Sequence, residues 1–437
     1  MVLRSWLVVA ALLGTGCKQS LFDSKGEPDG GGGGPDGLVV PSTCPAPCIA
    51  DAAADFDGTP GGMGMRWRYV DDSRMRAWVD MTASGDGGFV GADPMNTIHT
   101  CAGSAAATCS ALPGALRIST AGATSAADPA LGYTVTANQN IQLSVLARVP
   151  SGAKPQTIRL YRNSREDVLF TGVAMPDVTL AKAIVVDALA GDRFYVAVAP
   201  DMLGAADVAL HFFISETGAV FPSTCQVAAT FEVAGAGNTI ANECGATGTL
   251  TAENYSVTGS VPPVLAAGPF PELGQSADFV NDKYYDSVTT LDKTRDTTVQ
   301  LWVRQDAFVD PTYAAFLFSD IDLDAGGGLG IDIYDDSGPH LEVFTATSPN
   351  PPFGIVNVLA SYPDDHAWHF VRAAQAGGTV SVCLDGKKLG ELAAPAGSLA
   401  SGRAPYLGRN VVWTPSGAFL DGAIDDFRVF DEALPCE

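Results

Sequence analysis

From about residue 50 onwards, apolar residues recur at every second position of the chain. Ile141, Leu143, Val145, Ala147 and Val149 form one such series, and Val208, Leu210, Phe212 and Ile214 another. A period of two turns one face of each segment inward, which predicts half-buried strands. Turn signals such as Pro150-Ser-Gly152 and Ala190-Gly-Asp192 separate the runs, and no long segment of period 3.6 interrupts them. This region reads as a β-sandwich. Further on, Val380, Val382 and Leu384 share one face while Ser381 and Cys383 share the other. That run ends in Asp385-Gly386, a strong type I′ hairpin signal. The expected fold class is all-β, with two β-sandwich (jelly-roll) domains.

Composition supports this picture. At 437 residues the chain is too long for one ordinary sandwich, and 46% apolar residues suffice for sizeable cores. Only 17% of residues are charged, while 48 glycines and 28 prolines suit many short strands joined by turns. The net charge of -24 argues against nucleic acid as a partner, because its phosphates would be repelled over most of the surface. The same charge favours cations, calcium included, and also simply keeps an exported protein soluble.

The N-terminus carries Arg4, an apolar run from Trp6 to Leu13, and Gly14-Thr-Gly-Cys17. This is the order of an export signal, and the run is too short to span a bilayer. Cys17 after small residues resembles a bacterial lipobox, although Gly14 stands where that motif usually has an aliphatic residue. The resemblance implies a signal peptide over 1–16 and lipidation of Cys17. Residues 17–43, which contain Glu27-Pro-Asp-Gly-Gly-Gly-Gly-Gly-Pro-Asp-Gly37, have almost nothing to bury and read as a lipid-anchored tether reaching about 30 Å. Lys18 follows Cys17 in place of the Asp that retains some lipoproteins in the inner membrane, so the expected location is the cell envelope, at the outer membrane. Eight cysteines remain: Cys44, Cys48, Cys101, Cys109, Cys225, Cys244, Cys383 and Cys436. An even count suits an oxidising compartment. Sequence leaves many connectivities open, and the expected pairing of neighbours follows only from short loops and domain membership.

The C-terminal half carries an ordered set of segments. Phe231, Asn238, Asn242, Gly245 and Gly248-Thr249 come first, then Leu273-Gly-Gln-Ser-Ala-Asp-Phe279 and Thr298-Val-Gln-Leu-Trp-Val-Arg304. Gly327-Gly-Leu-Gly-Ile-Asp-Ile-Tyr334, His366-Ala-Trp-His-Phe-Val-Arg372 and Gly378-Thr-Val-Ser-Val-Cys-Leu-Asp-Gly386 follow, before Leu407-Gly-Arg409 and the closing segment Phe419 to Leu434. Together they resemble the laminin-G-like, concanavalin A-like domains of bacterial proteins. The expected domains are therefore 44–221, a β-sandwich similar to the jelly-roll modules of bacterial surface and carbohydrate-active proteins, and 222–437, a laminin-G-like domain. Trp302, Trp368 and His369 are expected to pack as strand residues.

The resemblance also implies a calcium ion near the last strand. Alternation there sends Asp425 inward with Phe427 and Val429, so its carboxylate needs a partner, either a cation or local backbone amides. Asp320, Asp322 and Asp324 fall on one face of a predicted strand and form a second candidate calcium cluster, with a solvated strand end as the alternative. Ala325 and the lack of a twelfth-position Glu exclude an EF-hand.

No E-x-D-x-x-E, H-E-x-x-H, G-x-S-x-G or P-loop motif occurs, and five scattered histidines make a histidine metal site hard to assemble. The expected function is a non-catalytic binding module for a carbohydrate or protein ligand, with Tyr284, Tyr285, Phe353 and Trp413 as aromatic platforms for sugars. The membrane is touched through the lipid anchor only. Two alternatives stand beside this reading: a polysaccharide lyase or glycosidase with an unrecognised site, and a structural envelope protein.

Overall fold

The computed structural model describes residues 40–56, 66–73, 77–121, 127–199, 204–217, 224–232, 239–244, 249–254, 263–270, 273–279, 283–287, 290–293, 296–308, 314–322, 326–335, 338–346, 355–394, 399–409 and 419–436. The expected signal peptide and tether, with Cys17, lie outside them, as do Asp324, Phe353 and Trp413.

Strands within Cys48–Glu216 build two sheets packed face to face. Among the described residues sheet I has eight strands, in which Gln139–Arg148 pairs with Ala206–Glu216. Sheet II has six, in the order Val168–Ala174, Gln156–Arg162, Arg193–Ala199, Ala127–Thr134, Trp67–Ser73 and Ala77–Asp80. Between them lie the residues singled out by alternation: Ile141, Leu143, Val145, Ala147, Val149, Val208, Leu210, Phe212 and Ile214 are all buried in one cluster. Among the described residues the α-helical content is one five-residue turn, Ala107–Ala111, which the Cys101–Cys109 disulfide ties back to the strand before it.

Strands within Cys225–Phe430 build a second pair. Sheet III runs Val264–Ala267, Gln275–Phe279, Leu420–Phe430, Thr297–Phe308, Trp368–Ala376, Thr379–Leu384 and Lys387–Ala393, with Cys225–Ala229 also on Leu420–Phe430. Sheet IV runs Thr239–Ala241, Thr249–Asn254, Lys283–Ser287, Tyr406–Leu407, Ala315–Ser319, Gly330–Asp335, Pro339–Ala346 and Ile355–Ser361. The first and last strands of this pair are thus neighbours, a pairing that needs the whole intervening chain to fold. Val299, Leu301, Val303, Val380, Val382, Phe427 and Val429 from sheet III meet Leu317, Ile331, Ile333, Leu341 and Val343 from sheet IV in the core. Asp385 and Gly386 have φ of 52° and 76°, the left-handed pair that a type I′ turn requires. Disulfides join Cys44 to Cys48, Cys101 to Cys109, Cys225 to Cys244 and Cys383 to Cys436, so each of the eight described cysteines pairs with its neighbour.

Burial of charge joins the two sandwiches. Arg428 donates two hydrogen bonds to Asp192, at 3.1 and 2.7 Å, and a third from Nε to Asp426 at 2.7 Å. Arg372 pairs with Asp167, which Arg162 also holds through Nε at 2.8 Å. Gln300 donates to the same carboxylate at 3.3 Å and accepts from Arg372 at 3.0 Å. Asp167, Asp192 and Arg162 belong to the first sandwich, and Gln300, Arg372, Asp426 and Arg428 to the second. Three guanidinium groups therefore meet three carboxylates, all buried. Leu189, packed with Cys225, Ala228 and Phe430, adds an apolar patch beside them.

Candidate functional site

The expected sugar platform contained Tyr284 and Tyr285, and the structure separates them. Neighbours on a strand point to opposite faces, and in Lys283–Ser287 it is Tyr285 that turns inward. It packs against Phe231 and Phe279 in the core, and burial raises its phenol well above the usual range. Tyr285 is therefore a core residue and offers no surface to a ligand.

Tyr284 turns outward on sheet IV. Its ring lies 5.7 Å from that of Tyr406 and 6.4 Å from that of Phe419, each tilted by about 30–40°. Tyr406 is brought alongside because Asp286 pairs with it across the strands. Arg409 sits over all three rings, 4.6 Å from Tyr284, 5.9 Å from Tyr406 and 5.8 Å from Phe419. Burial, with Asp286 nearby, raises the Tyr406 hydroxyl and keeps it a donor. Sequence reading found Tyr284 and missed Tyr406, Arg409 and Phe419, which lie over 120 positions away and join it only through strand pairing. The half-buried Tyr284 and Tyr406 present phenol rings and hydroxyls beside a cation, over the buried Phe419. Such a surface stacks on apolar ring faces and hydrogen-bonds polar rims.

Asp425 lies on the face opposite to the one that alternation predicts. Trp302 pairs with Asp425 and Gln300 with Arg428, so two residues, Asp426 and Phe427, face the single Leu301. This is a β-bulge, with Asp426 at a φ of 44°. The bulge reverses the alternation: Ile424 and Phe427 both point inward, while Asp425 points outward beside Trp302. Trp302 there packs with Phe270, Leu273 and Phe370, not in the central core. Residues 268–270 and 273–274 lie against that outer face, with Phe270 and Leu273 on Trp302. A Cβ on Gly268 would come within 2.6 Å of Asp425 Oδ2, 3.2 Å of the Gly274 carbonyl oxygen and 3.3 Å of that of Leu273. Asp425 Oδ1 accepts from the Asp426 amide at 2.7 Å, whereas Oδ2 is buried with no hydrogen-bond partner. Burial first, then Asp426 and Glu232, hold this carboxyl well above its usual range. One orphaned carboxylate oxygen beside two backbone carbonyls, with Glu232 close by, is a hard-oxygen donor set of the kind calcium takes. Among the described residues no three His, Cys, Asp or Glu side chains gather around one point, so carbonyls would supply the balance.

Asp320 and Asp322 follow the strand Ala315–Ser319 instead of lying within it, although their amides continue the ladder to Leu329 and Gly327 at 3.1 Å each. Asp320 is fully buried, pairs with Lys293 and accepts from the Leu329 amide at 2.8 Å. Burial raises this carboxyl and lowers the Lys293 ammonium. Asp322 lies 3.5 Å from Arg403. Each has a basic side chain, which relieves the repulsion foreseen between them. His369 lies between Asp385, 2.8 Å from Nδ1, and Asp365, 3.0 Å from Nε2, at the rim of sheet III.

Residues 280–437 match the family model described as the concanavalin A-like lectin/glucanases superfamily. This C-terminal part is a laminin-G-like, concanavalin A-like domain. Strands before residue 280, including Cys225–Ala229 and Gln275–Phe279, complete its sheets. No curated protein sequence matches the chain. Among solved structures, a botulinum neurotoxin type C structure described by its interaction with two ganglioside molecules is similar at 12% identity and a TM-score of 0.35. The alignment covers 49% of each chain, so the protein spans about half the length of that relative. Domain 4 of a GH43 extracellular arabinanase from Geobacillus stearothermophilus, in complex with arabinotriose, is 18% identical over 49% of this chain and 95% of that one, with a TM-score of 0.35. A pentraxin from Limulus polyphemus is 17% identical over 34% and 70%, with a TM-score of 0.27.

Proposed function

We propose that the protein is a non-catalytic binding module of the cell envelope that recognises saccharides through the aromatic cluster of sheet IV. The observation that carries this reading is the pair of part-exposed rings Tyr284 and Tyr406 beside Arg409 and above the buried Phe419: it offers stacking and hydrogen bonding on an outer sheet face. Saccharides combine apolar ring faces with a polar edge, and such a surface suits both. A glycosidase needs two carboxyl groups free to act on one bond. Asp320, the nearest approach to such a residue in the sequence, is instead fully buried against Lys293. Lipidation at Cys17 and calcium held by Asp425, with the carbonyls of Leu273 and Gly274, belong to the same proposal. Calcium there would lock Leu273 and Gly274 onto sheet III.

A glycan array probed with the full chain, with calcium and with chelator, tests the reading. The expected result is binding that Tyr284→Ala weakens. Binding to no glycan, or binding that Tyr284→Ala and Tyr406→Ala leave intact, overturns it. Turnover of a bound polysaccharide would replace it with the enzyme alternative.

A further inference from the structure

The junction between the sandwiches opens into a cleft of about 300 Å³, within the range of small-ligand sites. Arg159 and Tyr161 line it because Ile158 and Leu160, on the same strand, face the core of the first sandwich. Arg165 and Glu166 come from the turn after that strand. The opposite wall is the hairpin turn Asp385-Gly386 with Lys387, on the second sandwich. Gly386 approaches so closely that an added Cβ would lie 3.8 Å from Glu166 Cα. Neither sandwich forms this cleft alone.

In a chain of net charge -24, three of the six charged or phenolic groups here are cations. Of the two wall carboxylates, one is held by protein on both oxygens. Asp385 accepts from the Phe370 amide at 3.0 Å and lies 2.8 Å from His369 Nδ1. Glu166 is buried. Arg165 lies 3.8 Å from Asp72, and burial pushes that carboxyl up to about 7. Lys387 makes no ion pair with a described residue.

We infer that this cleft is a second binding site, specific for a sugar bearing one carboxylate, such as a hexuronate. The walls carry one more positive than negative charge, which matches a monoanion. Arg159, Arg165 and Lys387 would hold the carboxylate, because guanidinium forks suit its planar geometry. The exposed Thr171 and the part-exposed Asp385 would meet ring hydroxyls, above a floor of the buried Tyr161 and Glu166. A dianionic phosphate meets more repulsion from those two carboxylates, and a polyanion meets the field of the whole chain. The inference rests on the saccharide-binding reading but not on the Tyr284 cluster.

The test is calorimetric titration of the full chain with cellobiouronic acid and with cellobiose, which differ only in the carboxylate. Wild type should prefer the acidic sugar by about tenfold, equivalent to one good charge-assisted contact. The exposed Lys387→Glu should abolish that preference, Arg165→Gln should reduce it, and Tyr284→Ala should leave it unchanged. Unaltered circular dichroism of each variant excludes misfolding. Equal binding of both sugars, or a preference that survives Lys387→Glu, overturns the inference while leaving the saccharide reading standing. So does tighter binding of glucose 6-phosphate. Binding of neither sugar overturns the inference, whereas the wider reading falls to an empty glycan array or to array binding that Tyr284→Ala and Tyr406→Ala leave intact.

Discussion

The junction between the sandwiches and the outer faces of the second sandwich bury charge in opposite ways. At the junction, Asp167 and Asp192 are surrounded by arginines, and despite burial their carboxyls are held below the usual range by Arg162, Arg372 and Arg428. On sheets III and IV, Asp425 and Asp332 are just as buried, yet each has a carboxylate oxygen with no hydrogen-bond partner. Both are raised well above the usual range, Asp332 by burial and the neighbouring Glu342. A compensated carboxylate cements two bodies together. An orphaned one weakens the fold at neutral pH unless a proton or a cation arrives.

The largest expected effect breaks the cemented side. Arg428→Ala would leave Asp192 and Asp426 buried without their guanidinium and should destabilise the protein by about 3–5 kcal/mol, read by urea unfolding. A change below 1 kcal/mol would show that the sandwiches separate without cost. Next, on the orphaned side, calcium at about 100 times its Kd should stabilise wild type by about 2.7 kcal/mol, and should not stabilise Asp425→Asn. Equal melting temperatures in calcium and chelator would remove the cation from the account. Asp332→Asn keeps the side-chain volume and removes the buried charge, so it should raise stability by about 1–2 kcal/mol at pH 8.

The two regions should also respond oppositely to acid. Asp332 and Asp425 have folded-state values above the unfolded one, so they penalise folding at high pH. That penalty disappears as pH falls toward the unfolded value of about 3.9. Asp167 and Asp192 have lowered values, so their contribution is complete above about 3.9 and is lost as pH falls through their folded values. Stability should therefore rise on mild acidification and collapse in stronger acid, and Arg428→Ala should flatten the acid limb. The smallest effect belongs to the binding face. Tyr284→Ala should weaken saccharide binding by about 1 kcal/mol with little change in stability, as measured by titration.

Sequence periodicity located the strands, because alternation records which face of a strand is dry. Val208 to Ile214 and Val380 to Leu384 show this directly, and Asp385-Gly386 declared its own turn through the residues that tolerate positive φ. The ordered motifs of the C-terminal half identified the laminin-G-like domain for the same reason: each marks a strand or turn of one fold. Alternation fails where a bulge inserts a residue, and Asp426 is that residue, so the side on which Asp425 lies was decided by pairing with Thr297–Phe308. Tyr284 and Tyr285 could not both face a ligand, and only packing against Phe231 and Phe279 chose between them. Likewise, Arg409, Tyr406 and Tyr284 meet through strand order, and Arg428 finds Asp192 through the docking of two sandwiches. Local sequence determines which residues can form strands and turns, because those preferences act over a few neighbours. Partners for the charges and rings come from distant parts of the chain, and only the tertiary structure brings them together.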